Sequence, residues 1–283
     1  MTPAGRTIIR AFTHARWGGR SLICLYISIL SGIVVALQYN PTDPFYSTAS
    51  LELVVPYGAF WRALHYYSSQ AFFLLLLCHL LAVIAKNDQT SDRTAWIRLS
   101  AVIPVTILLL FTGYVLRGDA TGAAAGAIAE HIALSIPGIG KPLNTLLFDI
   151  SANGILKVYV NHLIGLMAIG CLCVWPHLQK YRSSFRLHVP LTLAVFAGAI
   201  LFAAPMEPDR IGLTHIAGPW FFLGLQELLR YFPPLWAGVI APASLIIALF
   251  FLPRQRKNRR TVLLFMALWL IGYTILTGIG AAR

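Results

Sequence analysis

Residues 61–79 read WRALHYYSSQAFFLLLLCH, and residues 161–177 read NHLIGLMAIGCLCVWPH. Each run is apolar and carries a histidine near either end, His65 and His79 in the first, His162 and His177 in the second. The spacing is 14 residues in the first pair and 15 in the second. At about 100° per residue, 14 steps fall about 40° short of four turns and 15 steps about 60° beyond. Both members of a pair therefore share one broad helix face. A rise of 1.5 Å per residue sets them roughly 21 to 23 Å apart along the axis, one toward each surface of a bilayer whose hydrocarbon is about 30 Å thick.

The rest of the chain is built in the same way. Its 283 residues are 58% apolar and 11% charged, against roughly 25% charged in ordinary soluble domains, and mean hydropathy is +0.72. A water-soluble globule and a disordered chain are both excluded. Seven stretches are predicted to span a membrane, at approximately Ser21 to Leu37, Phe60 to Ala85, Trp96 to Leu116, Ile155 to Leu178, Leu187 to Ala204, Leu235 to Leu252 and Thr261 to Gly280. The fold class is all-α and polytopic. The first run lacks an A-x-A cleavage site and reads as a retained helix. The four cysteines, Cys24, Cys78, Cys171 and Cys173, all fall in apolar runs with no CxxC or CxxCH, which argues against a disulfide framework and against covalent c-type haem. Cys171 and Cys173 point about 200° apart on one helix and read as packing residues.

The net charge of +12 is a topology signal. With a cytoplasmic N-terminus, 15 of the 22 bases fall on the inner side, opposed there by only Asp88 and Asp92. That distribution is the positive-inside bias. It also gives affinity for anionic lipid and removes the case for nucleic acid. The long outer loops carry helix-like pieces, Ala123 to Ser135 and Trp220 to Tyr231, of the kind that roof a site.

Helices two and four run in the same direction, so His65 meets His162 at the outer level and His79 meets His177 at the inner level. Two facing imidazoles at each level are what a six-coordinate b-type haem requires. The bland alternative is a set of polar residues hydrogen-bonded between helices, or a proton relay. Gly18 and Gly32, 14 apart, and Gly113 provide room where a flat ring must approach a backbone. Arg62, one turn before His65, is placed to pair with a haem propionate, although an arginine at a span end also reads as a snorkelling anchor.

The stretches SGIVVALQYNPTDPF, TGYVL and SIPGIGKPLNTLL, with the two histidine runs, resemble cytochrome b of the quinol-oxidising cytochrome bc complexes, especially the photosynthetic form. The later GPWFFLGLQELLRYFPP is similar to subunit IV or the C-terminal part of a fused cytochrome b. The resemblance implies a domain 1–186 holding a dihaem four-helix bundle and a shortened domain 187–283. It also implies quinone sites on both faces, an iron–sulfur or c-type cytochrome partner outside, and a homodimer in a bacterial-type inner membrane or equivalent energy-transducing membrane.

Four departures stand out. Gly218-Pro219-Trp220-Phe221 replaces PEWY and lacks its glutamate, and Arg117-Gly118-Asp119 replaces a proline-tryptophan run. Arg16 stands where the photosynthetic form has the Cys of an extra covalent haem, and Leu99 stands where a fourth packing glycine is expected. Quinol oxidation needs a proton acceptor. Glu227, seven residues after Trp220 and hence on the same face of one helix, is the candidate, with Glu130, His131 and His215 as alternatives. On the inner side His14, Lys180, Arg182 and His188 are candidates for a quinone site, or basic anchors at the headgroups. Three functions follow: a dihaem subunit of a quinol:acceptor oxidoreductase, a non-bifurcating dihaem anchor for a peripheral redox enzyme, or a haem-free proton or ion transporter.

Overall fold

The computed structural model describes residues 3–86, 92–151, 153–207, 216–252 and 256–283. The described residues form helices α1 (Pro3–His14), α2 (Trp17–Gln38), α3 (Pro44–Leu53), α4 (Gly58–Lys86), α5 (Arg93–Ser100), α6 (Val102–Val115), α7 (Ala120–Leu134), α8 (Gly140–Leu147) and α9 (Gly154–Val160). They continue through a π-helical turn (Asn161–Gly165) into α10 (Leu166–Lys180), then α11 (Val189–Leu201), α12 (Leu223–Leu228), a second π turn (Leu235–Ile240), α13 (Ala241–Phe250) and α14 (Arg256–Ala281). No strand occurs among them.

Among the described residues five helical stretches are long and apolar enough to cross a membrane: Trp17–Gln38, Gly58–Lys86, Arg93–Val115, Gly154–Lys180 and Asn258–Ala281. The other two predicted spans are shorter apolar helices, Phe185–Leu201 and Leu235–Phe250. Proline explains the shortening. The ring of Pro205 would clash with the carbonyl of Leu201 inside a helix, and Phe202 has already left the helix at ψ 123°. Pro253 likewise disfavours helical backbone at Leu252. Within the third span, Pro104 has no N–H to offer Ser100, and the helix divides at Ala101. Asp92 starts α5 by accepting from the amides of Arg93 and Thr94. Apolar side chains such as Leu30, Leu172 and Ile200 are well exposed, as expected where the surroundings are lipid.

The chain forms two compact units interleaved along the sequence. The first comprises Met1–Tyr39, Ser47–Leu110 and Cys171–Pro205. Its core joins Ile23, Cys24 and Ile27 of α2 to Ala63 and Leu64 of α4 and to Val195, Ala199 and Ala204. The buried face of α2 includes Cys24, Ile27, Ser28 and Ser31, an i, i+3, i+4, i+7 stripe of mainly small residues that lets helices approach closely. Ser21 Oγ donates to the Phe72 carbonyl across that contact (3.1 Å).

The second unit comprises Asn40–Tyr46, Phe111–Gly170 and Met206–Arg283. Its roof helix α7 buries Ala125, Gly126, Ala129 and Ala133. Asp119 caps that helix, accepting from the Gly122 amide at 2.9 Å. Between α6 and α7, Gly118 has φ +66°, and a Cβ there would meet Phe45 N and Pro44 Cβ. The turn therefore requires glycine twice over. Ahead of α9, the hydroxyl and amide of Ser151 hold the Asp149 carboxyl below the usual carboxylate range, fixing the turn. At the other end, Tyr273 and Trp269 of α14 donate to the carbonyls of Phe221 (2.7 Å) and Ala241 (3.1 Å).

Candidate functional site

Within the first unit α4 and α10 bring His79 and His177 together, with ring centroids 6.4 Å apart and planes inclined at 53°. Gly18 of α2 lies against the His79 ring, and a Cβ there would stand 3.1 to 3.3 Å from three ring atoms. Tyr181 packs beside His177 at 4.7 Å between centroids. The ring spacing accommodates an imidazole-to-metal bond of about 2 Å from each side. Among the described residues no group of three or more His, Cys, Asp or Glu side chains could hold a metal. Two opposed nitrogens alone suit an iron whose other four ligands come from a macrocycle. The donor set thus fits haem and does not fit a site built from protein ligands only.

His65 sits in the first unit against Gly32, where a Cβ would be 2.8 Å from its Cε1. Its Nδ1 lies 2.8 Å from the Ser28 carbonyl. A carbonyl only accepts, so Nδ1 carries the proton and Nε2 is the nitrogen with a lone pair. In the second unit His162 has the same surroundings. Gly113 would place a Cβ 2.9 Å from its Cε1, and Thr112 Oγ1 lies 2.9 Å from its Nδ1. Three of the four histidines thus lie on a glycine named from the sequence.

His162 stands inside the π turn, where the Leu166 amide donates to the Asn161 carbonyl. A π turn holds one residue more than an α turn. The 15-residue spacing is thereby wound as though it were 14. Sequence periodicity alone, which assumes uniform α-helix, missed this.

The remaining candidates fall into distinct settings. Arg62 is buried, and its Nε donates to Glu52 (2.7 Å) while its terminal nitrogens donate to the carbonyls of Ala204 (2.6 Å) and Pro205 (3.2 Å). Three of its five N–H groups are thus directed at protein acceptors. Glu227 is 2% exposed, accepts from the Tyr231 hydroxyl at 3.0 Å and pairs with Arg283 at 3.2 Å. The expectation that Trp220 and Glu227 share a helix face is corrected. Proline at 219 is followed by a turn, α12 starts only at Leu223, and Trp220 is 43% exposed while Glu227 is buried.

Glu130 accepts from Asn144 Nδ2 and the Ile150 amide, and His131 is exposed. His215 lies outside the described residues. On the inner side His188 is buried, 3.0 Å from Ser183 Oγ, whereas His14, Lys180 and Arg182 are exposed. All four cysteines are free thiols.

Sequence reasoning missed the role of Asp119. Its side chain is fully buried and accepts from Arg117, Thr121 Oγ1, the Gly122 amide and the Glu207 amide. The guanidinium of Arg117 also lies 4.3 Å from the centroid of the Tyr114 ring. The signal available was an acid and a base two residues apart in an apolar chain.

The family profile "Cytochrome b/b6/petB" matches residues 7–183, and "Cytochrome b(C-terminal)/b6/petD" matches residues 210–282. The chain belongs to the cytochrome b/b6 family. It is 24% identical to cytochrome b of Bugula neritina over 282 residues, covering 86% of this chain and 76% of that protein. It is 30% identical to cytochrome b6 of Heliobacterium modesticaldum over 159 residues, covering 54% and 74% respectively. A chain of a solved structure titled "Hyperthermophilic respiratory Complex III" superposes with a TM-score of 0.67 at 22% identity, covering 94% of this chain and 83% of that one, a likeness in fold. Membership in the cytochrome b/b6 family carries b-type haem binding and electron transport in a membrane.

Proposed function

We propose that this chain is the dihaem cytochrome b subunit of a membrane quinol:acceptor oxidoreductase, with His79 and His177 holding an inner haem and His65 and His162 an outer one. The observation that carries the reading is the facing pair His79 and His177 at 6.4 Å with Gly18 beneath one ring. When bound, the two haems supply one-electron transfer across the bilayer. The protein's own part is to fix the rings. The Ser28 carbonyl and Thr112 Oγ1 orient His65 and His162, and Gly18, Gly32 and Gly113 leave their faces open.

Arg62 braces the outer end of α4 through Glu52, Ala204 and Pro205, and its remaining N–H groups would hold a propionate. Glu227 is the proposed proton acceptor, and Arg182 with His188 the polar groups of an inner quinone site.

The division into 1–186 and 187–283, a cytoplasmic N-terminus in a bacterial-type inner membrane, a homodimer and an iron–sulfur or c-type cytochrome partner outside belong to the same proposal. The test is a redox titration of the purified complex with a pyridine haemochrome spectrum. Two b-type waves are expected, and a colourless protein would end the reading in favour of a haem-free transporter.

A second reading, a non-bifurcating dihaem anchor, is favoured by the pairing of Glu227 with Arg283 and Tyr231 and by the missing PEWY glutamate. With the inner quinone site blocked, quinol should transiently over-reduce haem b only in the bifurcating enzyme.

A further inference from the structure

Two buried arginines are matched by acids in the protein, Arg62 by Glu52 and Arg117 by Asp119. Arg98 is in the last turn of α5. Its Nε is buried without a hydrogen-bond partner. Its charge, like that of Lys180, acts on His177.

The first unit has little with which to answer that charge. Its described acids are Glu52 and Asp92. The former is held by Arg62, and the latter caps α5 through the amides of Arg93 and Thr94. Leaving a single guanidinium N–H buried and unmatched is costly, and the cost is relieved when an anion accepts from it. Ser100 Oγ, also buried and unpaired, is about 200° further round the helix.

We propose that Arg98 binds an acidic group of the inner porphyrin and, by its charge, raises the reduction potential of that site. The inference rests on the dihaem reading above. A fixed cation disfavours the more positive ferric form, so its removal lowers the potential. A unit charge about 10 Å away at an effective dielectric near 20 is worth roughly tenfold in the ratio of oxidised to reduced form, or about 59 mV for one electron.

The test is a redox titration of the purified complex carrying Arg98→Gln, Arg98→Met or Arg98→Lys. In the two neutral variants one b-type wave should fall by about that tenfold while the other stays, or one haem per chain should be lost. Arg98→Lys should keep both haems and most of the potential. Unmoved waves, a lysine variant shifted as far as the glutamine one, or loss of both haems in all three variants overturns the inference. So does a wild-type wave that moves when anionic lipid is exchanged for zwitterionic lipid, which assigns the anion to a lipid headgroup. A wild-type protein without two waves instead removes the dihaem reading itself.

Discussion

Gly32 and Gly18 make different demands on a side chain. An added Cβ would stand 2.8 Å from His65 at the first and 3.1 Å from His79 at the second. Gly32→Ala should therefore displace its ring more than Gly18→Ala. We expect a larger loss of haem per chain from Gly32→Ala, measured by pyridine haemochrome, and near-complete loss of one haem from Gly32→Val.

These glycines were legible because spacing along a helix carries over directly into depth and face. The acceptors of Arg62 were not. Glu52, Ala204 and Pro205 meet it only through tertiary packing, and no periodicity relates residue 62 to residue 204. Glu227 was legible as an acid in an apolar chain. Its neighbours were not, because the turn after Pro219 breaks the helical count on which the argument relied.

The π turn Asn161–Gly165 holds one residue more than an α-helix needs, so a deletion inside it should be better tolerated than one in the regular helix that follows. Removing Ile164 is expected to convert the turn to α-helix and keep both haems. Removing Cys171 should rotate His177 by about 100° and lose the inner haem. Equal haem content in the two deletions would contradict this account.

The N-terminus of α7 depends on Asp119, whose buried carboxylate gathers the start of the roof helix, Arg117 and the Glu207 amide. Asp119→Asn leaves a buried guanidinium unmatched and should cost about 3–5 kcal/mol, measured by thermal unfolding. Asp119→Asn combined with Arg117→Met should recover part of the loss. The sequence marked this run only as a departure from a familiar pattern, because the Glu207 amide that joins it is 88 residues away.

Across the whole molecule, the apolar runs were readable because hydropathy is summed over long stretches; among the described residues five became helices long enough to cross a membrane and two became shorter apolar ones. The interleaving of the two compact units was not readable, since it depends on which helices pack together. A cysteine introduced at Arg182 should react with a membrane-impermeant reagent from the cytoplasmic side of oriented vesicles, and one at Lys141 from the other side. Labelling of both from one side would undo the topology.

The tie from Arg62 to the carbonyls of Ala204 and Pro205, together with the core contributed by Val195, Ala199 and Ala204, bears on how the gene could be divided. Two polypeptides separated after residue 186 would have to rebuild that packing by association, whereas a break introduced after Glu207 leaves it within the first fragment. Co-expressed halves cut at the later point should assemble more readily than halves cut at the earlier one.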